Sequence, residues 1–374
     1  MNLPSICFVC ANIYPLLVNR SDLPVVGGSE VQVLLLSQGL CQHGFTVSFV
    51  GEDFGQGPDT TVNGVHYLSF RLRRNKVAQA LELLWALRRT TADVYYVVDM
   101  PRYGFLIYLF CRLAGRKIVQ VLASDVDVAP VKGDTRGTGW AFRLHSAWRQ
   151  RADLVIAQTI FQAERLRTRW GIAAKIAPAI VAMDRKESQP QRNAGEFRVL
   201  WVGRLNPVKR VEWLVDITRR LPDIQFVVVG GPAVKSAQYA AQVGPLLSAC
   251  PNVQWLGYVP YAQVEAWFRS AQVLLHTSAP GTEGFPNVFL QAWAAGIPVV
   301  STGSNPDDLL TKGGLGFCLN TVDEVVDTLQ TLAADPARAQ AIGARAQQYA
   351  WDNHRPEAVI PQVAGLFRGL WDSG

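Results

Sequence analysis

Short apolar runs alternate with amphipathic stretches along the whole chain, and that alternation predicts its architecture. Residues 5–11 form an apolar run of strand length; a polar loop with Pro24 follows, then apolar positions at helical spacing fill 31–42 until Gly44 stops them. The pattern predicts further strands at 46–50, 94–98, 117–122 and 154–157, with helices around 77–89, 105–113 and 142–151. Residues 188–195, Ser-Gln-Pro-Gln-Arg-Asn-Ala-Gly, break the alternation and predict a linker. Beyond it, strands at 198–202, 225–229, 253–256, 273–276 and 298–301 alternate with helices at 211–220, 236–249, 262–270 and 288–295. Two helices, 336–351 and 357–371, close the pattern. Strands alternating with helices predict parallel sheets covered on both faces, here two doubly wound α/β domains.

Composition narrows this only slightly. A chain of 374 residues exceeds the size at which one core usually stops growing, and 49% apolar with 18% charged residues excludes extended disorder. The longest apolar run, 103–111, is about half of what a bilayer-spanning helix needs. No Lys or Arg precedes the apolar stretch 6–9, so it does not read as a signal peptide, and a cytoplasmic location is expected. Cys7 and Cys10 share a Cys-x-x-Cys spacing, but they lie in a strand run with no second pair to complete a zinc site; buried thiols are expected. Charge is uneven. Residues 1–190 hold 22 Lys and Arg against 15 Asp and Glu, whereas 191–374 hold 14 against 15, so the first half is expected to meet an anionic partner.

Four clusters carry candidate chemistry, each where a strand gives way to a helix, the place where open α/β sheets bind ligands. Gly27-Gly28-Ser29-Glu30 opens a helix and admits two readings, an anion-binding turn or a plain turn with a cap. Gly203-Arg204-Leu205-Asn206-Pro207-Val208-Lys209 leaves a strand, with Arg204 at the strand end and Lys209 at the helix start, so both cations can converge on one anion. In Glu283-Gly284-Phe285-Pro286-Asn287-Val288, Pro286 suits a helix's first turn and leaves Glu283 in the loop above it. Gln291 then lies one to two turns inside, on the same side of a pocket floored by backbone N–H groups. The fourth cluster, Arg71-Leu72-Arg73-Arg74-Asn75-Lys76, runs into the amphipathic stretch 81–89 with Trp85 on its apolar stripe. It reads either as a membrane-surface segment or as a solvated helix with a buried stripe.

Taken together, Gly-Arg-Leu-x-x-x-Lys, Glu-Gly-Phe-Pro-Asn and Ala-Gly-Ile-Pro-Val-Val resemble the retaining glycosyltransferases of family 4, over nearly the whole chain. The resemblance implies the GT-B fold, two facing Rossmann-like domains with a deep cleft. Residues 1–187 would bind acceptor, 196–355 would bind the nucleotide sugar, and 356–374 would pack back on the first domain. Carried over by position, Arg204 and Lys209 would bind the donor diphosphate, with Gly27 and Gly28 approaching it from the other domain. Glu283 would face the transferred sugar, and the stretch Gly284, Phe285, Pro286, Asn287, Val288 would line the donor with backbone N–H groups from every residue but Pro286. Tyr258 would meet the nucleobase, and Gly230 joins the donor-binding residues. Two positions depart from the family pattern. Gln291 stands where a second Glu usually bonds the ribose, and Ser124 stands where many members carry a His near the anomeric carbon. Asp125 is the substitute catalytic candidate beside it, an N-cap role for Ser124 and Asp125 remaining open.

The activity implied is retaining transfer of a hexose from a UDP- or GDP-sugar to a sugar or lipid-linked acceptor, in surface-polysaccharide assembly. The leaving diphosphate would be stabilised electrostatically. No Asp-x-Asp site suited to Mg²⁺ is read from the chain, so no metal or other cofactor is expected. The partners expected are the donor, the acceptor and an anionic membrane surface at the inner face of the plasma membrane, not nucleic acid. A non-catalytic nucleotide-sugar-binding subunit is the rival, favoured by Ser124 and Gln291 and opposed by Arg204, Lys209 and Glu283. A dinucleotide-dependent dehydrogenase lacks its Gly-x-Gly-x-x-Gly after the first strand.

Overall fold

The structure, a computed structural model, describes residues 3–19, 27–73, 75–98, 103–129, 148–183, 196–232 and 236–372. The expected helix at 142–151 lies mostly outside these residues, and the expected linker at 188–195 wholly so. The chain forms two compact units, Met1–Ile180 with Pro356–Gly374, and Val181–Arg355.

Unit 1 is built on eight strands: β1 (Ile6–Val9), β2 (Val47–Glu52), β3 (Asp59–Val62), β4 (Val65–Phe70), β5 (Val94–Val98), β6 (Lys117–Val121), β7 (Leu154–Ala157) and β8 (Lys175–Ile176). Their order is β3-β4-β2-β1-β5-β6-β7-β8, parallel except for the β3–β4 pair. Alternate residues of one strand face opposite sides, and β1 shows it: Ile6 and Phe8 enter one apolar cluster, Cys7 and Val9 the other. Both faces are therefore covered. The helices α1 (Gly28–Gln42), α2 (Lys76–Thr90), α3 (Gly104–Leu113) and α4 (Ile160–Trp170) supply the layers. Cys7 and Cys10 are buried free thiols, and burial pushes Cys7 up to about 12.

The sequence pattern predicted neither the β3–β4 hairpin nor α4. The hairpin had a signal: Asn63 and Gly64 both take positive φ, 49° and 80°, in a two-residue turn between Val62 and Val65, the geometry that Asn-Gly favours. This antiparallel edge departs from the expected all-parallel sheet.

Unit 2 holds β9 (Arg198–Val202), β10 (Gln225–Val229), β11 (Val253–Gly257), β12 (Val273–His276), β13 (Val299–Thr302) and β14 (Gly316–Leu319). All are parallel, in the order β11-β10-β9-β12-β13-β14, so the winding reverses between β9 and β12. The helices are α5 (Val211–Arg220), α6 (Ala237–Ser248), α7 (Tyr261–Ser270), α8 (Asn287–Ala294), α9 (Val322–Ala334) and α10 (Pro336–His354). β14 and α9 were not predicted, although Thr321 and Glu324 form a capping box at the start of α9.

Gly230 follows β10 at φ 138°, and a Cβ there would lie 1.8 Å from the Gly203 carbonyl oxygen. Gly230→Ala is expected to lower stability by about 1–3 kcal/mol, because neither backbone can move without disturbing β9 or β10. Urea unfolding with an unchanged midpoint would count against this.

The final helix, α11 (Pro356–Asp372), belongs to unit 1. Val359, Ile360, Val363, Ala364 and Phe367 join the cluster that also holds Val33, Leu36 and Leu40 of α1. Contact is close enough that a Cβ on Gly39 would meet Ile360 Cδ1 at 2.4 Å.

Candidate active site

The chain leaves β9 through Gly203 and Arg204 and enters a 3₁₀ turn, Pro207–Lys209, that Asn206 caps by accepting the Lys209 N–H at 3.0 Å. Arg210 then takes a left-handed conformation, φ 44°, and α5 opens only at Val211. Lys209 therefore stands two residues ahead of the helix rather than at its start as the sequence indicated, because Asn206 and Pro207 close a separate turn first.

Arg210 holds this loop in place. Its guanidinium donates to the carbonyls of Thr277 (2.8 Å), Ser278 (2.8 Å) and Thr302 (2.5 Å) and to Thr302 Oγ1 (2.7 Å). It also stacks over the Trp213 ring at 4.0 Å. The loop after β9 is thereby tied, across the winding reversal, to the carboxyl ends of β12 and β13. Lys209 Nζ reaches Glu283 Oε1 at 2.6 Å, and Ser278 Oγ donates to the same oxygen at 3.0 Å. Behind them, Ser278 Oγ lies 2.9 Å from His276 Nε2, and His276 Nδ1 lies 3.2 Å from Ser301 Oγ.

Hydrogen counting fixes the roles in this chain. A hydroxyl has one proton to give. Ser278 gives its proton to Glu283, so it must accept from an Nε2–H of His276. Burial and the nearby Lys209 charge press the His276 pKa down to about 3, so the ring is neutral; Nδ1 is then bare and accepts from Ser301. Burial alone would raise the Glu283 carboxyl, but the Lys209 ammonium overrides it and holds the group well below the usual carboxylate range. The site therefore presents an ionised carboxylate and an ammonium, oriented from behind by a neutral imidazole.

The other predicted positions fall as follows. Arg204 is exposed and has no partner among the described residues. Gly284, Phe285 and Pro286 are buried, and the Phe285 ring packs against Trp293 (5.9 Å) and His354 (5.2 Å), leaving only its backbone for a ligand. Pro286 occupies the N-cap of α8, one position earlier than predicted, with Asn287 and Val288 opening the helix half-buried. Gln291 lines a groove between α7 and α8 with Tyr261, Glu265, Phe268 and Arg269, surroundings different from those of Glu283. Tyr258 is 37% exposed on the loop after β11, beside Gly231.

On unit 1, Glu30 accepts the Gly27 N–H at 3.0 Å and the Ser29 hydroxyl at 3.1 Å, so the first turn of α1 carries its own carboxylate cap, with Gly28 exposed. Ser124 caps a 3₁₀ turn, Asp125–Asp127, accepting from the Val126 N–H while Asp127 accepts from the Ser124 N–H, both at 3.3 Å. Asp125 accepts from the buried Gln162 at 3.0 Å. The N-cap reading is realised here, and the Asp-x-Asp spacing of 125–127 serves that turn. Among the described residues no group of three or more His, Cys, Asp and Glu gathers around a point that could hold a metal ion. Sequence reasoning missed Arg210, His276, Ser278 and Ser301. The Lys209-Arg210 dipeptide was visible, but nothing in it tells which cation faces the site and which is a staple.

Two Rossmann-like units, the second wholly parallel with a strand-order reversal, are the fold of the GT-B glycosyltransferases. The chain belongs to the family 4, group 1 glycosyltransferases: the profile described as Glycosyltransferase Family 4 matches residues 26–178 and that of Glycosyl transferases group 1 matches residues 196–335. It is 30% identical over 184 residues to the GDP-mannose-dependent alpha-(1-6)-phosphatidylinositol monomannoside mannosyltransferase of Mycolicibacterium smegmatis, which covers 46% of this chain and 47% of that protein. The match thus spans about half the length of this curated relative. Among solved structures, sucrose-phosphate synthase from Thermosynechococcus elongatus shares the fold with a TM-score of 0.82 at 18% identity, covering 99% of this chain and 100% of the other. Anabaena HepE in complex with UDP and glucose aligns with a TM-score of 0.77 at 17% identity, covering 98% and 99%.

Proposed function

We propose that this protein transfers a hexose from a UDP- or GDP-sugar, with retention at the anomeric carbon, to a sugar or lipid-linked acceptor in surface-polysaccharide assembly. The observation that carries the proposal is the Lys209–Glu283 pair at the winding reversal of unit 2. Lys209 and Arg204 would take the diphosphate, which leaves with two negative charges to be met, and Glu283 would accept hydrogen bonds from the sugar hydroxyls. With those cations in place, the reaction is proposed to run without a metal. Gln291, an amide with an acceptor and two donors, would bond the ribose, and Ser124 and Asp125 remain the proposed contacts near the anomeric carbon. A relative named for GDP-mannose and a neighbour holding UDP support either base; the relative's phosphatidylinositol name supports a lipid-linked acceptor. The basic charge of residues 1–190 supports work at the inner, anionic face of the plasma membrane. No helix among the described residues is long and apolar enough to cross a membrane.

A thermal-shift titration with UDP, GDP and their sugars tests the donor. One nucleotide series should raise the melting temperature, equivalent to about 2.7 kcal/mol at a hundredfold excess over Kd. The same nucleotide sugar should then be hydrolysed slowly in the absence of acceptor. A shift with no turnover of any nucleotide sugar would favour a binding subunit, and no shift at all would remove the donor assignment.

A further inference from the structure

Apolar exposure on unit 1 collects in one place. α2 buries Leu83, Ala86 and Leu87, and α3 buries Ile107 and Cys111, all in the same cluster on one face of the sheet. Turned away from that cluster, α2 exposes Val77 (69%), Leu81 (61%) and Trp85 (45%), while α3 exposes Phe105 (38%), Leu109 (42%) and Leu113 (81%). Each trio is spaced i, i+4, i+8, a single line along a helix. The two helices pack against each other, so both lines look outward from one layer. With Leu72, seven of the fourteen large apolar residues exposed among the described residues fall within 72–113, about a ninth of the chain. A merely solvated helix looks different: α10 exposes Arg338, Gln340, Arg345 and Gln348.

Charge around this face is positive but partly spent. Residues 71–117 hold ten Lys and Arg against three Asp and Glu. Yet Arg71 pairs with Asp53, Arg73 with Glu82, Arg89 with Asp59, Arg112 with Asp153 and Arg116 with Asp93. Arg88 is exposed without a partner among the described residues, and the Arg89 guanidinium lies over the Trp85 ring at 4.6 Å. The paired arginines leave less free charge than the sequence count indicated, so the apolar lines must supply much of any adhesion.

We infer that α2 and α3 form a monotopic docking face whose Val77, Leu81, Trp85, Phe105, Leu109 and Leu113 side chains enter the hydrocarbon edge of an anionic membrane. Arg88 closes one end of the α2 line, where its cationic head reaches lipid phosphates while its stem lies along the apolar surface; Arg89 and Arg112, already paired with Asp59 and Asp153, flank the two lines. A second copy of the chain fits this face poorly, because it would bring two arginine rims together. The inference rests on the membrane contact proposed above and adds insertion to it; it is independent of the donor.

The test is flotation of the full chain with vesicles of phosphatidylcholine and phosphatidylglycerol, and with phosphatidylcholine alone, at low and high salt. The parent should bind the anionic vesicles and keep part of that binding at high salt. Leu81→Ser combined with Leu109→Ser should weaken binding at least roughly tenfold, with the melting temperature and its shift by UDP or GDP unchanged, since both side chains are exposed. A double variant that binds like the parent overturns insertion. So does complete release of the parent by salt, which leaves an electrostatic contact alone. A parent that binds no vesicle removes the membrane contact altogether, and a dimer lost in the double variant with no vesicle binding would make the face a self-association surface instead. A missing UDP or GDP shift with vesicle binding intact would strike the donor assignment only.

Discussion

Lys209→Ala should lower kcat/KM for the nucleotide sugar by roughly 10²–10³-fold, the usual consequence of removing one charge-stabilising group from an active site. Two losses combine in that number. The diphosphate would lose the cation that meets its developing charge, and Glu283 would lose the partner 2.6 Å away that keeps it ionised and aimed. With both side chains mostly buried, at 15% and 22% exposure, the orphaned carboxylate should also lower stability by about 1–3 kcal/mol. The two losses separate in a double-mutant cycle. Glu283→Gln added to Lys209→Ala should recover most of the stability, because no unpaired charge then remains, yet recover none of the turnover. If Lys209→Ala alone turns over donor within a few-fold of the parent, the assignment of Lys209 to the diphosphate is wrong. If the double variant is no more stable than the single, the pair is not the stabilising unit that the geometry describes.

Acid should weaken unit 2 well above the pH at which its carboxylates protonate. His276 is neutral in the fold and its pKa there, about 3, lies below the ordinary value of 6.5. Below pH 6.5 the unfolded chain binds a proton at this position that the folded chain does not, so stability falls as pH falls, by up to about 1.4 kcal/mol per pH unit. Over the window from 6.5 down to about 3, this one group would remove roughly 4–5 kcal/mol. Glu283 has the same sign. Its folded pKa is depressed below 4.5, so its contribution is present above that pH and is lost on further acidification, steepening the fall. Denaturant unfolding of the parent and of His276→Gln between pH 7 and 4 checks the sign and the size. The variant should start less stable at pH 7, having lost the bridge between Ser301 and Ser278, and then respond more weakly to acid down to pH 4.5. Parallel curves for the two proteins would show that His276 titrates freely and that the relay is misread.

Much of this molecule could be read from periodicity. β1, β5, β10 and β12 are continuous apolar runs because both of their faces are buried, and a run of that kind has few other readings. The β3–β4 hairpin escaped because Asp59–Val62 is a half-exposed edge strand with no apolar run to mark it, so only the Asn63-Gly64 turn announced it. In the site, Lys209 and Glu283 were legible from motif spacing, and the structure brings them together. Arg210, His276, Ser278 and Ser301 were not. Their roles depend on which side of a loop each group faces after β12 and β13 are laid side by side, and that information is absent from local sequence. Caps were read as one option among two at Gly27 and Ser124, because a carboxylate that completes a turn and one that awaits a ligand look the same in sequence.

The place of α11 bears on how the chain comes to be folded during synthesis. Unit 2 is one unbroken stretch, Val181–Arg355, so its core can close as soon as that stretch has emerged. Unit 1 is split: made first, it still lacks Val359, Ile360, Val363 and Phe367, which α1 and the sheet await on one face. The portion translated before unit 2 must therefore keep an apolar face uncovered until the portion translated after unit 2 arrives. Vectorial folding, which ordinarily favours the N-terminal domain, is inverted in this topology. The half-built first unit, not the second, is the one exposed to aggregation or to chaperone capture on the ribosome.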